Sequence, residues 1–251
     1  MQVRFLKLLF IGILLPLANV VSANCPAPFK PSSANTFGVV ICSSPHISTR
    51  HALHAQEILR NLIDYNRDLV PDNKKVLKKL LSNNAVFLVL NHDQELSLYE
   101  ESLMEDPSFT VVYEEEMVLD EVTEFDATIE EALHLITAEG YGKVYPAELG
   151  EFNGSSISTF LDDARGGYFK NVPNRYPSKA YFTYYDITCD YGCQITEFLY
   201  WAISTLRGQQ RFDWRDSEIE EEWRPETSEK LKDIAPELVE FLSKKEFAIF
   251  F

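Results

Sequence analysis

The chain has 251 residues, of which 39 are acidic and 23 are basic, so its formal net charge at pH 7 is −16. A surface of this sign repels nucleic acid and anionic membranes, and neither is expected as a partner. Two acidic runs, residues 114–116 and 218–222, are typical of solvent-exposed faces.

The beginning of the chain, residues 1–23, predicts a secretory signal peptide. Arg4 and Lys7 precede an apolar run over residues 8–17, and small residues follow it. This order of positive, apolar and small residues is typical of such peptides, and the apolar run is too short to favour a membrane span. We therefore expect a secreted, extracellular protein whose mature part, residues 24–251, forms a single domain.

Two further features of the sequence are typical of a secreted protein. Four cysteines remain in the mature part, and an even number predicts two disulfides, for which three connectivities exist. The local pairs Cys25–Cys42 and Cys189–Cys193 are favoured, and a structural zinc site is less expected because no histidine lies near the short pair. Asn153 begins an Asn-x-Ser sequon and is the predicted glycosylation site.

In chain order, residues 36–42 predict a buried strand, and residues 48–65 predict a helix that begins at Ser48 as its N-cap. His51 and His54 lie three positions apart on this helix. That spacing can serve a metal ion, but a surface or core role is commoner for two such histidines and is the favoured interpretation.

The loop after this helix has the ligand spacing of a calcium site. Calcium takes several hard oxygen ligands, and oxygen-bearing side chains recur here at alternate positions. These residues are Asp64, Asn66, Asp68 and Asp72. Leu69 stands where the sharp turn favours glycine, and Lys75 stands where a bidentate glutamate is needed, so weak calcium binding at most is expected. The competing interpretation is a polar loop in which Asp72 or Asn73 caps the next helix, residues 74–81.

The remaining segments predict an α+β fold, a single domain in which a small sheet packs on several helices. Strands are predicted at residues 84–90 and 109–114, with a short helix between them at residues 93–104. Later helices are predicted at residues 128–139, 155–164, 192–206 and 226–243. We expect the first of these helices to lie beneath the sheet and the apolar helix at residues 192–206 to cross behind it.

The helix predicted at residues 128–139, with Gly140 as its C-cap, carries the most informative pattern. Its apolar positions recur at helical spacing, which places Glu130 and His134 on one face and Glu131 on the edge of that face. Two ligands at i and i+4 with an acid between them form a helical metal site with its general base. Glu130 puts a carboxylate where the common pattern, HExxH, has a histidine.

Two segments carry a resemblance to a known family. Residues 128–145 (TIEEALHLITAEGYGKVY) and 185–201 (YDITCDYGCQITEFLYW) resemble a family of secreted, largely uncharacterised proteins with a zincin-like core, and residues 53–73 extend the similarity. More remotely, the order of elements is similar to that of gluzincin peptidases of the anthrax lethal factor type. The resemblance implies a zincin-like domain with a metal-dependent peptidase activity.

The gluzincin resemblance also implies a third ligand on a later helix and a tyrosine that stabilises an oxyanion. Glu197 matches the third ligand, and Tyr184 or Tyr185 matches the tyrosine. Glu197 is the one acid in its predicted helix, and a carboxylate among apolar neighbours is costly to bury unless it is paired or bound to a metal. We therefore expect its ligand atom and those of the earlier helix to lie within about 4 Å of a common point.

Two functions are compatible with these residues. In the first, a secreted hydrolase, specifically a peptidase, binds zinc or another divalent ion through Glu130, His134 and Glu197, while Glu131 takes a proton from the attacking water. This ligand set is neutral when it holds a divalent ion, and its carboxylates also suit manganese. In the second, a non-catalytic zincin-like protein has a binding or structural role, with exposed acids and a core histidine at the same positions.

Overall fold

A computed structural model describes residue 25 and residues 27–31, 36–103, 108–120 and 124–250, and it leaves the side chains of residues 99–103 undescribed. The predicted signal peptide lies outside the described residues. Within the described ranges, no helix is long and apolar enough to cross a bilayer. These residues form one α+β domain with a small mixed sheet, which confirms the fold class expected from the sequence.

The sheet has the strand order β1–β2–β3–β4, in which β2, β3 and β4 run parallel and β1 is antiparallel to β2. Its strands are β1 (Lys30–Pro31), β2 (Val40–Ser43), β3 (Val86–Leu90) and β4 (Phe109–Tyr113). All of β3 is buried, because a central parallel strand is covered on both faces and therefore needs an unbroken apolar run. The three strands expected from the sequence are confirmed at nearly their predicted positions.

Helices lie between and after these strands along the chain. They are α1 (Thr49–Ile63), α2 (Lys74–Ser82), α3 (Asp93–Leu103), α4 (Ala127–Leu135), α5 (Gly142–Val144), α6 (Pro146–Leu149), α7 (Ser156–Arg165), α8 (Tyr191–Leu206), α9 (Asp213–Ile219), α10 (Ser228–Ile234) and α11 (Pro236–Leu242). A 3₁₀ turn at Glu114–Glu116 follows β4, and a π-helical stretch at Ile136–Tyr141 joins α4 to α5. The predicted N-cap of α1 is confirmed, since the Ser48 side chain accepts a hydrogen bond from the backbone N–H of His51.

Two predicted helix boundaries are wrong. Gly140 does not end a helix, because the chain continues through the π-helical stretch into α5. A Cβ at Gly140 would lie 2.7 Å from Val76 Cγ1 of α2. The glycine therefore allows α2 to pack closely against the π-helical stretch, and it does not act as a helix cap. The helix predicted at residues 226–243 is interrupted between α10 and α11, because Pro236 lacks an N–H and restricts Ala235 to φ −138° and ψ 60°.

Both predicted disulfides are present. Cys25 is linked to Cys42 of β2, which attaches the N-terminal segment to the sheet. Cys189 is linked to Cys193 across the start of α8. The Asp190 side chain between them accepts a hydrogen bond from the Cys193 backbone N–H at 2.9 Å. The first turn of α8 is therefore held by a covalent link as well as by an N-cap.

The core places α4 beside β4, with α1 and α8 also packed against it. α8 is buried on nearly every side, and Ile195, Phe198 and Leu199 are each at most 1% exposed. A helix that is apolar all round belongs inside a protein. Glu197 is carried into the interior by this helix and meets α4 there.

Candidate metal centre

The local sequence of α4 determines which of its side chains face α8. α4 begins after Asp126, whose buried carboxylate accepts a hydrogen bond from the Thr128 backbone N–H at 3.1 Å. Ile129 and Leu133 then pack in the core. Glu130 and His134, each one residue after an apolar position, share a second face of α4 and lie close to Glu197 of α8.

Three side chains of ligand type converge between α4 and α8. One ligand atom each of Glu130, His134 and Glu197 lies within 4.8 Å of the other two, which satisfies the expected convergence within about 4 Å of a common point. His134 Nε2 is 3.4 Å from Glu197 Oε2, and each of these two side chains is only 12% exposed. In the part of the chain that the structure describes, no other group of three such side chains comes this close together.

His134 brings an unpaired nitrogen to this centre. Nε2 is buried and has no hydrogen-bond partner among the described residues, because its contact with Glu197 lacks hydrogen-bond geometry. A buried polar atom left unpaired costs roughly 1–3 kcal/mol. A cation placed between this nitrogen and the two carboxylates satisfies all three groups. The residues present therefore fit a divalent ion.

The ionisable groups of the centre shift one another's pKa values. Burial raises the pKa of Glu130 to about 7. The nearby His134 opposes this rise, and the nearby Glu197 carboxylate adds to it. Burial lowers the pKa of His134, but the neighbouring Glu131 and Glu197 carboxylates outweigh that effect and raise it to about 10. The imidazole is therefore protonated at neutral pH in the metal-free protein, and a metal ion must displace that proton.

Glu131 faces the other nitrogen of the imidazole ring. Its Oε2 is 3.8 Å from His134 Nδ1, and its side chain is 29% exposed. Its backbone carbonyl accepts a hydrogen bond from Thr110 Oγ1 of β4 at 3.0 Å, which holds this turn of α4 against the sheet. Glu131 thus lies beside the three ligand groups without being one of them, and part of its carboxylate remains open to solvent.

The structure separates the two candidate tyrosines. Tyr184 is half-buried, and burial together with the charges of Glu197 and Glu222 raises its pKa well above the usual value. Tyr185 is 55% exposed and its ring packs against Tyr176 instead. Tyr184 is therefore the tyrosine that shares the electrostatic surroundings of the centre.

Glu222 also belongs to these surroundings, and the sequence did not predict it. Its Oε1 accepts a hydrogen bond at 2.7 Å from Trp201 Nε1, one turn after Glu197 on α8. Burial raises the pKa of Glu222 to about 7, the Trp201 hydrogen bond opposes the rise and Glu197 adds to it. The acidic run at residues 218–222 predicted only an exposed face, because nothing in its local pattern marks this acid as half-buried.

The predicted calcium loop between α1 and α2 is arranged differently. Its side-chain oxygens accept hydrogen bonds from backbone N–H groups of the same loop. The acceptors are Asp64, Asn66, Asp68 and Asp72, and the donors are Tyr65, Asp68, Leu69 and Val70. Leu69 adopts φ 68°, the left-handed conformation that favours glycine. Asn73 caps α2 by accepting from two backbone N–H groups, as the competing interpretation of this loop expected.

The other predicted residues have different partners. His54 Nε2 is 2.5 Å from Asp126 Oδ2, and His51 Nδ1 is 2.7 Å from Glu114 Oε1. Each histidine therefore faces a carboxylate, and among the described residues neither belongs to a group of three metal-ligand side chains. Asn153 is exposed just before α7, a position that accommodates a glycan.

The centre combines three ligand groups with two further side chains that can take part in chemistry. Glu131 supplies a partly exposed carboxylate, and Tyr184 supplies a hydroxyl whose raised pKa keeps it protonated. A divalent ion held beside these groups is suited to hydrolytic chemistry. Comparisons with protein-family models, with curated proteins and with solved structures find no match to this chain.

Proposed function

We propose that this protein is a secreted, metal-dependent hydrolase that binds a divalent ion through Glu130, His134 and Glu197 and acts on peptides or proteins. The observation that carries the proposal is the approach of three ligand atoms to within 4.8 Å of one another, with the buried His134 Nε2 only 3.4 Å from Glu197 Oε2. An imidazole and two carboxylates accept zinc, and the oxygen ligands also suit manganese. The resemblance of residues 128–145 and 185–201 to secreted zincin-like proteins supports the same proposal.

In this proposal the ion acts as a Lewis acid that polarises the substrate carbonyl and makes water more acidic. Glu131 takes a proton from the attacking water and passes it to the leaving amine as the peptide C–N bond breaks. The water oxygen becomes part of the new carboxyl group. The hydroxyl of Tyr184 donates a hydrogen bond to the carbonyl oxygen while negative charge develops there, and its raised pKa keeps it in the donating form.

A second candidate function is a non-catalytic, zincin-like binding or structural protein that uses an ion to hold α4 to α8. Glu131 Oε2 lies 3.8 Å from His134 Nδ1, where a carboxylate can orient a ligating imidazole, and in this second function Glu131 has that role alone. A structural site has all its positions filled by protein, whereas a catalytic site keeps one for water or substrate. Metal-dependent hydrolysis therefore distinguishes the two functions.

The experiment that tests the proposal measures metal content and hydrolysis in the same preparation. Protein purified from a secretory host is analysed by mass spectrometry for metals and assayed on a library of quenched fluorescent peptides, before and after chelation. We expect about one equivalent of a divalent ion, and hydrolysis that chelation removes and added zinc or manganese restores.

A matched control is Glu139→Gln, because Glu139 is a half-buried acid on the helical stretch that continues α4, outside the group of three ligands. This variant should keep both metal and hydrolysis. Bound metal without hydrolysis of any peptide would support the structural alternative. A wild-type protein that takes up no divalent ion would rule out the hydrolase and the ion-dependent structural role, and it would support a binding or structural protein without a metal.

A further inference from the structure

We propose that the protein has a second ligand site, a pocket for a short-chain carboxylate beside Arg207 at the C-terminal end of α8. The pocket is a cavity of about 150 Å³, with Ile58 and Leu62 of α1, Ile129 of α4 and Arg207 in its walls. None of the three candidate metal ligands lines it. The site is therefore independent of the proposed hydrolase.

The guanidinium of Arg207 lacks an anionic partner. Its Nη2 donates hydrogen bonds to the carbonyl oxygens of Leu62 at 3.4 Å and Ile249 at 2.7 Å. Its Nε and Nη1 are buried and have no hydrogen-bond partner among the described residues. None of the ion pairs within the described ranges includes Arg207. A buried, uncompensated charge is costly, so this group is one that an anion would stabilise.

Other arginines in the interior have such partners. Arg165, whose side chain is fully buried, lies 2.6 Å from an Asp162 carboxylate oxygen. Arg215, whose side chain is 12% exposed, lies 2.9 Å from a Glu218 carboxylate oxygen. In a chain with a net charge of −16, carboxylates are abundant. The absence of one at Arg207 in the described structure points to an anion that comes from outside.

The walls of the cavity indicate what kind of anion fits. The guanidinium is planar and pairs with a carboxylate through two parallel hydrogen bonds. Ile58, Leu62 and Ile129 supply an apolar wall for a short hydrocarbon chain. At roughly 30 Å³ for each water-sized group, the volume suits a carboxylic acid of a few carbon atoms.

Three further side chains affect how an anion meets the Arg207 guanidinium. The Tyr65 ring lies 4.6 Å from the centre of the Arg207 guanidinium and covers one of its faces, so an anion must approach from an edge. Asp72 is near enough to act electrostatically on Arg207. Arg67 also lines the cavity and adds positive charge, so charge alone does not choose between a carboxylate and a phosphate. The apolar wall makes that choice, because phosphate has no hydrocarbon chain to place against it.

Calorimetric titration of the full secreted protein with butyrate tests this site. Butyramide has the same shape without the charge and is the ligand control, and inorganic phosphate is the second anion. We expect butyrate to bind with one-to-one stoichiometry and the other two to give no binding heat. Arg207→Met should weaken butyrate binding at least about tenfold, since it removes the charged donor. Arg211→Met, which removes an exposed arginine further along the same loop, should leave it unchanged.

A second variant tests the pocket without altering Arg207. Asn61 is a half-buried residue that lines the cavity, and Asn61→Trp should fill it and abolish butyrate binding while circular dichroism and melting remain those of the wild type. If Arg207→Met fails to fold, the Asn61→Trp variant still tests whether butyrate binds in this pocket. Absence of butyrate binding at millimolar concentration, equal binding of butyramide, or unchanged binding by Asn61→Trp would overturn the proposal. Phosphate binding in place of butyrate would overturn the ligand class.

Discussion

The centre between α4 and α8 and the loop between α1 and α2 both place acids at metal-ligand spacing, yet their carboxylates have different partners. In the loop, Asp64 accepts hydrogen bonds from the backbone N–H groups of Asp68 at 3.0 Å and Leu69 at 2.8 Å. At the centre, no hydrogen bond is made to the carboxylates of Glu130 or Glu197 within the described structure, and their ligand-type neighbour is His134.

This difference gives the two regions different needs for a cation on electrostatic grounds. A carboxylate that already accepts backbone hydrogen bonds has its charge stabilised without an ion. Carboxylates that are packed together with few donors repel each other, and a cation relieves both the repulsion and the cost of burial.

The largest effect is expected from Glu197→Ala. Removing one of three ligands should abolish metal uptake and any hydrolysis, because two remaining ligands on α4 cannot hold the ion against water. Competition with a chromogenic chelator measures the affinity. Retention of a full equivalent of metal would contradict the assignment of Glu197 and would place the ion elsewhere.

Glu131→Gln should separate catalysis from binding. The amide cannot accept the water proton, so hydrolysis should fall by about 10²- to 10⁴-fold, while metal content remains that of the wild type because Glu131 is outside the ligand group. Metal analysis and peptide hydrolysis are measured together. A variant that instead loses metal and activity in parallel would indicate that Glu131 acts through His134 Nδ1, from which it lies 3.8 Å.

Metal affinity at the centre should rise with pH. In the metal-free protein the pKa is about 10 for His134 and about 7 for Glu130, and the ion binds the deprotonated forms of both. Between pH 7 and pH 10 one proton is displaced, so affinity should rise about tenfold per pH unit, and more steeply below pH 7. Calorimetry in buffers of different ionisation enthalpy counts the released protons. Affinity that stays constant between pH 6 and pH 9 would contradict this account.

The smallest effect is expected in the loop. Asp64 is buried, and Asp64→Ala should lower the free energy of unfolding by about 1–3 kcal/mol, because the Leu69 N–H loses its acceptor and the Asp68 N–H keeps only the Asn66 side chain. Denaturant titration measures this loss, and metal content should not change. Calcium titration of the wild type should show weak binding or none. Micromolar calcium affinity that disappears in this variant would remove the contrast between the two regions.

Several parts of this structure could be predicted from the sequence because they depend on neighbours along the chain. The apolar run of β3 predicted a buried strand, and Ser48 predicted the start of α1. Helical spacing placed Glu130 and His134 on one face of α4. The short separation of Cys189 and Cys193 favoured the disulfide that is present. In each case the physical cause operates within a few residues.

Tertiary structure alone decided how residues far apart in the sequence meet. It made Gly140 a point of close helix approach, since α2 packs against it. It brought Glu222 beside α8 through Trp201, and it left Arg207 without a carboxylate partner among the described residues. Local sequence periodicity does not predict these contacts. The burial of a side chain, its hydrogen-bond partners and the charges near it depend on which elements pack together. Those quantities determine how strongly each acid of this protein would favour a nearby cation.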